Sequence, residues 1–312
     1  MSPPVFVLGV RRSGTTLLRV MLDRHPQLAV PDESYFIPQL ADRHRGPIDV
    51  GDFLDDLERL PTLREWGVDI AAVRPKLRPG QPPGEAIGAV YEVYAEARGK
   101  GRWGDKTPMY MQRLPLLERL FPTAHYVHLV RDGRDCALSF LQMPEGIVTR
   151  SWAHPRDAAG FACQWRAEVT AAHKLGRRVG PRLLEVRYER LVAEPEDTLR
   201  TICGHVGLPY DTGMLDYADS VDVTRQPHQQ SLKRAPTPGL RDWQAEMEAD
   251  AVRAFEVVAG DVLAELGYPT SAQPTVAGRL RRVSYAARIR AWNAAAWAVR
   301  VSPLWRRRHH PL

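Results

Sequence analysis

Residues 5–18 read VFVLGVRRSGTTLL. An apolar run, Val5–Leu8, ends in Gly9. Gly14 follows, and apolar residues recur at helical spacing from Thr15 to Arg24. A strand, a glycine loop and a helix in that order constrain the chain to an α/β fold with a parallel sheet. Such a strand is buried on both faces and needs a helix to cross over it. The two glycines have the spacing of a phosphate loop, G-x-x-x-x-G-K-[ST], but Thr15 stands at the lysine position, and Arg11 and Arg12 lie inside the loop. The glycines let successive N–H groups and the helix N-terminus face an anion. Ser13, Thr15 and Thr16 add hydroxyls and Arg12 adds charge. In triphosphate enzymes the loop lysine works together with Mg²⁺. A loop without it suits a single phosphate and no metal.

Further strands are read at His125–Val130 and Leu183–Tyr188. Helices are read at 52–60, 84–97, 111–120, from about 136, and at 158–175, 195–206 and 249–266. The expected fold is α/β, a P-loop-like three-layer arrangement with a central parallel sheet flanked by helices, plus a C-terminal basic helical extension. The chain divides as 1–268 and 269–312, with Pro269–Pro274 as linker. Ligands of such sheets lie at the carboxyl ends of the strands, so Gly9–Thr16 and Arg131–Asp135 share an edge. Arg131 ends a strand, and Ser139 follows eight residues later across an Asp-Gly turn. Two anion sites, each with arginine and hydroxyl, have the layout of a nucleoside 3′,5′-bisphosphate.

These segments resemble those of a known family. RRSGTTLLR followed by LDRHP is similar to the 5′-phosphosulfate loop of sulfotransferases, and VRDGRDCALS resembles their 3′-phosphate motif. H-P-x-x-x-x-x-x-E and D-K-T-P elements bring the chain nearest to bacterial sulfotransferases that resemble tyrosylprotein sulfotransferases. The resemblance runs over roughly residues 4–245. It implies 3′-phosphoadenosine 5′-phosphosulfate (PAPS) as sulfuryl donor, a hydroxyl-bearing acceptor and no metal. By the same resemblance Arg12, Ser13, Gly14, Thr15 and Thr16 hold the 5′-phosphosulfate, with Arg11 beside them. Arg131, Ser139 and Tyr188 serve the 3′-phosphate, and Ser231 and Lys233 close over the cofactor. Glu33, 21 residues after Arg12, falls at the catalytic glutamate and is the expected base, with Asp32 as its alternative. Lys106, with Arg12, meets charge on the leaving group. Beside a sulfonate and partly desolvated, Glu33 is expected to have a pKa raised toward neutrality.

Composition narrows the remaining classes. Cys136, Cys163 and Cys203 are too few and too far apart for a disulfide framework or a metal site, which fits a reducing, cytoplasmic setting. From Ser271 onward there are nine arginines and no acid, which more than accounts for the net +6 and leaves residues 1–270 at −3. That distribution argues against nucleic acid as a partner. For the Arg- and Trp-rich segment 279–308, packing on the domain, homodimer contact and peripheral membrane contact all remain open. Pro303 should end a helix near Val301. His25 and His128 read as packing residues. Tyr35, Phe36, Trp103, Tyr110 and Trp152 are candidate acceptor walls, and a metabolite, lipid or glycan acceptor is favoured over a peptide tyrosine. A P-loop nucleotide kinase and a non-catalytic nucleotide-binding protein stand as alternatives.

Overall fold

The structure is a computed structural model that describes residues 2–143, 154–218, 242–272 and 275–301. Strand β1 (Val5–Leu8) leads through the glycine loop into helix α1 (Thr15–Asp23) and the two-residue strand β2 (Leu28–Ala29). Five helices follow, α2 (Ile37–Arg43), α3 (Val50–Glu58), α4 (Pro61–Trp66), α5 (Ile70–Val73) and α6 (Pro83–Glu96). They return the chain to β3 (Arg102–Asp105). Helix α7 (Leu114–Leu120) leads to β4 (His125–Val130), and α8 (Gly133–Leu141) and α9 (Ala158–Val179) lead to β5 (Leu183–Arg187). The remaining helices are α10 (Tyr188–Ala193), α11 (Pro195–Val206), α12 (Trp243–Glu246), α13 (Ala249–Glu265) and α14 (Val276–Val301).

The five strands form one parallel sheet in the order β2-β3-β1-β4-β5. After β1 the chain builds first to one side and then to the other, so β1 lies at the reversal point where such sheets bind ligands. Side-chain alternation on β1 divides the core. Phe6 and Leu8 pack with Ile87, Val90 and Tyr91 of α6, whereas Val5 and Val7 pack with Leu18, Met21 and Ile202 of α1 and α11. Helices thus cover both faces, which gives the expected three layers. Phe6 touches three rings, with centroids 5.2 Å from Phe121, 5.9 Å from Tyr126 and 6.0 Å from Trp103. Burying one such side chain is worth about 1.5–3 kcal/mol.

Strands β2 and β3 were not anticipated from sequence. Leu28–Ala29 is too short to show a period. Arg102-Trp103-Gly104-Asp105 carries charge at both ends, yet all four residues are buried. Arg102 is tolerated because carbonyls surround it: Nε donates to Pro3 O at 2.7 Å and Nη1 donates to Val206 O. The strand expected over Leu183–Tyr188 ends at Arg187, and Tyr188 opens α10. The three cysteines are buried free thiols. Among the described residues, no helix is long and apolar enough to cross a membrane.

A buried ion network anchors the segment after β4. Arg134 is fully buried and makes a bidentate pair with Asp132, Nε to Oδ1 at 3.0 Å and Nη2 to Oδ2 at 2.7 Å. Its Nη1 donates to Glu256 Oε1 at 2.6 Å, and Trp243 stacks 3.6 Å from its guanidinium. The second oxygen of Glu256 accepts from Ser271 N, Ser271 Oγ and Ala272 N at 2.8–2.9 Å. In the R-D-G-R-D run, Asp132 and Arg134 therefore join α8 to α13 and to the segment that leads into α14.

Candidate active site

All five strands contribute to one edge of the sheet. Across it in spatial order, β2 is followed by Glu33, β3 by Lys106, β1 by Arg11–Thr16, β4 by Arg131 and β5 by Tyr188. Ser139 reaches the same edge from α8. The loop therefore lies between an acid–lysine pair and an arginine–tyrosine pair.

The loop is shaped by two left-handed residues, Arg12 at φ 73° and Gly14 at φ 90°. Gly14 is required for a second reason: a Cβ there would collide with the Tyr188 ring. Ser13 is engaged within the loop itself. Both its Oγ and its N–H donate to Val10 O, at 2.7 and 3.1 Å, because the turn closes on that carbonyl. Helix α1 starts with no side-chain cap and no acid in its first turn. By contrast α3, α8 and α9 are capped by Asp49, Asp132 and Asp157. The first N–H groups of α1 thus have no side-chain acceptor among the described residues.

On one side of the loop, Arg12 Nε donates to Ser139 Oγ at 2.9 Å, and Arg131 Nη1 approaches Arg12 O at 3.5 Å. The Arg131 guanidinium lies 4.4 Å from the Tyr188 ring centre, and its Nη2 is 3.4 Å from Asp135 Oδ2. Its Nε is buried with no hydrogen-bond partner among the described residues. A buried guanidinium with an unused donor beside a hydroxyl and an arginine fits a bound anion.

On the other side, Lys106 Nζ donates to Glu33 Oε1 at 2.6 Å and to Thr16 Oγ1 at 3.3 Å. Lys106 is 2% exposed and Glu33 28%. Tyr35, beside Glu33 in the chain, donates its hydroxyl to Glu33 Oε2. Its backbone is left-handed at φ 57°; Tyr35 and Arg12 are the two non-glycine residues with positive φ among those described. Such backbone strain clusters at functional sites. Asp32 turns the other way, with Oδ1 2.9 Å from Arg19 Nη2.

The rise toward neutrality expected of Glu33 beside a sulfonate belongs to the donor-bound site; in the structure its pKa is lowered. Burial does push it up, but the Lys106 ammonium, the Tyr35 hydroxyl and the nearby Arg11 together hold it below its ordinary value. Burial pulls Lys106 down, and Glu33 offsets this only in part. Beneath the pair, Ser34 Oγ meets Tyr110 Oη at 2.6 Å, Ser34 N donates to Thr107 Oγ1 at 3.0 Å, and Tyr91 Oη donates to Asp105 Oδ2 at 2.7 Å. Burial raises Asp105 to about 6. These partners fix the Glu33 loop against β3, and the sequence offered no signal for them.

Several expected acceptor walls are core instead. Phe36, Trp103 and Tyr110 are at most 5% exposed, because α6 and β3 enclose them. Tyr35 is at the surface. Trp152, Ser231 and Lys233 lie outside the described residues. His25 is structural, with Nε2 2.8 Å from Pro209 O and Nδ1 accepting from Gln27 N.

Comparison with known proteins gives the family. The model of the sulfotransferase family matches residues 3–212, more than half of the chain; the span includes Arg11–Thr16, Glu33, Lys106, Arg131, Ser139 and Tyr188. The chain belongs to the sulfotransferase family. This sulfotransferase is 28% identical to protein-tyrosine sulfotransferase A of Caenorhabditis elegans, over 89% of this chain and 70% of that protein. It is 27% identical to the nodulation protein NoeE of Sinorhizobium fredii, over 86% of this chain and 66% of that one. Its fold is similar to that of a sulfotransferase domain from the curacin biosynthetic pathway, with a TM-score of 0.63 over 87% of this chain and 99% of that chain, at 21% identity.

Proposed function

We infer that this sulfotransferase takes PAPS as its donor and passes the sulfuryl group to an acceptor hydroxyl. The observation that carries the reading is the order along the sheet edge: acid and lysine on one side of a phosphate-shaped loop, arginine, serine and tyrosine on the other. The residues fit the two ends of such a donor. The uncapped α1 N-terminus and the Arg12–Thr16 loop suit the 5′-phosphosulfate. Arg131 with its unused Nε, Ser139 and Tyr188 suit the 3′-phosphate. When bound, the donor supplies the sulfuryl group and keeps the 3′,5′-bisphosphate.

The chain's own part is positioning and charge. Glu33, anionic at neutral pH, takes the proton of the acceptor hydroxyl. Lys106 offsets negative charge that builds on the leaving oxygen, with Arg12 beside it. In the structure Lys106 and Glu33 neutralise one another. An anion in the loop competes for the Lys106 ammonium, which loosens its hold on Glu33 and strengthens Glu33 as a base.

The test is calorimetry with 3′-phosphoadenosine 5′-phosphate in EDTA, with adenosine 5′-phosphate and Mg-ATP as comparators. Tight metal-free binding that requires the 3′-phosphate and is lost in Arg131→Ala is the expected result. Binding to Mg-ATP alone would reverse the reading in favour of a kinase. The acceptor is open between a metabolite, lipid or glycan hydroxyl and a peptide tyrosine, the latter favoured by the names of relatives such as the C. elegans protein. A transfer assay with acceptors of each class decides between them.

A further inference from the structure

Helix α14 is docked by one face only. Gly278 is buried where a Cβ would collide with the Val257 carbonyl, so α14 lies directly on the backbone of α13. Tyr285 packs into the core formed by α8, α9 and α13, and Arg282 Nη1 lies 3.6 Å from Asp261. Positions 278, 282, 285 and 289 thus face the protein, and their spacing fixes the rotation of the helix.

The opposite face is apolar and not covered by the described residues. Val276, Leu280 and Val283, spaced i, i+4 and i+7, are 71%, 65% and 68% exposed. Ala287, Ala291 and Ala294 continue the stripe, all exposed. Exposed Arg279 and Arg290 stand beside it, and no acid occurs from Ser271 to the end of the chain. The sequence then continues with Trp305, Arg306, Arg307 and Arg308. An apolar stripe rimmed by arginine with no opposing charge is complementary to an anionic bilayer surface: the stripe enters the acyl boundary and the arginines meet lipid phosphates. A second copy of this chain would bring its own arginines against these, a like-charge contact that disfavours self-pairing. We propose that the Val276–Leu280–Val283 face of α14 docks this protein in the plane of an anionic membrane, without spanning it.

The experiment is co-sedimentation of the full chain with vesicles of equal parts phosphatidylcholine and phosphatidylglycerol, against pure phosphatidylcholine, at low and high salt. Binding to the anionic vesicles should be at least about tenfold stronger and should fall with salt. The double variant Leu280→Ser/Val283→Ser should lose it, with unchanged circular dichroism and unchanged affinity for 3′-phosphoadenosine 5′-phosphate. Both substitutions lie on the outward face, so the fold should tolerate them. No binding by the wild type, or equal binding by the double variant, overturns the proposal. So does a dimer in light scattering that the double variant abolishes while vesicles bind neither protein; the face would then belong to a second copy. The measurement does not depend on the donor or the acceptor, so its failure leaves the sulfotransferase reading intact.

Discussion

The Lys106–Glu33 contact sets what can be tested at single residues. Glu33→Gln keeps the shape and removes the base, so kcat should fall by about 10²- to 10⁴-fold with donor affinity little changed. Lys106→Ala should lower kcat as well, and it leaves Glu33 partly buried without its cation. The pH profile of kcat/KM follows from the two directions. Glu33 is held below its ordinary 4.5, so the acid limb should lie below that value and not near neutrality. Lys106 is lowered from 10.5, so the alkaline limb should arrive before that value. An acid limb near pH 7 would mean that another group is the base. Gly14→Ala is the backbone counterpart. It forces a Cβ toward Tyr188 at φ 90°, and should cost roughly 1–3 kcal/mol in denaturation and weaken binding of 3′-phosphoadenosine 5′-phosphate.

Between elements, two polar networks hold the layers in register. Arg134 connects Asp132 at the start of α8 to Glu256 on α13, with all three largely buried. Removing one partner strands a buried charge. Glu256→Leu should therefore destabilise by about 3–5 kcal/mol in urea titration. A cost within error would mean that Asp132 alone satisfies Arg134. The second network crosses β4, β5 and α9. His128 and Glu185 are paired in strand register, and Glu185 Oε2 lies 3.2 Å from His128 Nδ1 and 3.0 Å from His173 Nε2. The hydrogen bond to Glu185 holds the His173 pKa above 6.5, whereas burial holds His128 below it. His173 thus stabilises the fold fully below pH 6.5 and loses that contribution as pH rises through its raised folded pKa. Melting scans should show His173→Ala furthest below wild type near pH 6, with the gap closing by pH 9. A gap that widens with pH would contradict the sign.

For the whole molecule, the parallel sheet and its helical layers were legible from Val5–Leu8 and His125–Val130, because both strands are apolar runs buried on two faces. The basic extension was legible as a helix, and one is described over Val276–Val301, whereas Pro303 lies outside the described residues. Strands β2 and β3 were not legible, since one is two residues long and the other carries arginine and aspartate that are accommodated only by tertiary hydrogen bonds. That the loop, Arg131, Ser139 and Tyr188 come together at one sheet edge was legible, but the ionic contacts of the candidate site were not. The pKa expected for Glu33 rested on a neighbouring sulfonate and partial desolvation, whereas the cation that lowers it here is Lys106, 73 residues away at the end of β3.

The sequence by itself determined the local units: a glycine loop between strand and helix, an arginine at a strand end, a tail of arginines without acids. Each depends on neighbours within a few residues, where backbone geometry and helical or strand periodicity act. Only the tertiary structure decided which units meet. It put Arg12 on Ser139, Lys106 on Glu33 and Arg134 on Glu256, across separations of 127, 73 and 122 residues. It also decided which face of α14 is covered. The physical reason is range. Periodicity and turn chemistry are properties of the local chain, whereas desolvation and charge pairing depend on whatever the strand order brings within a few ångströms.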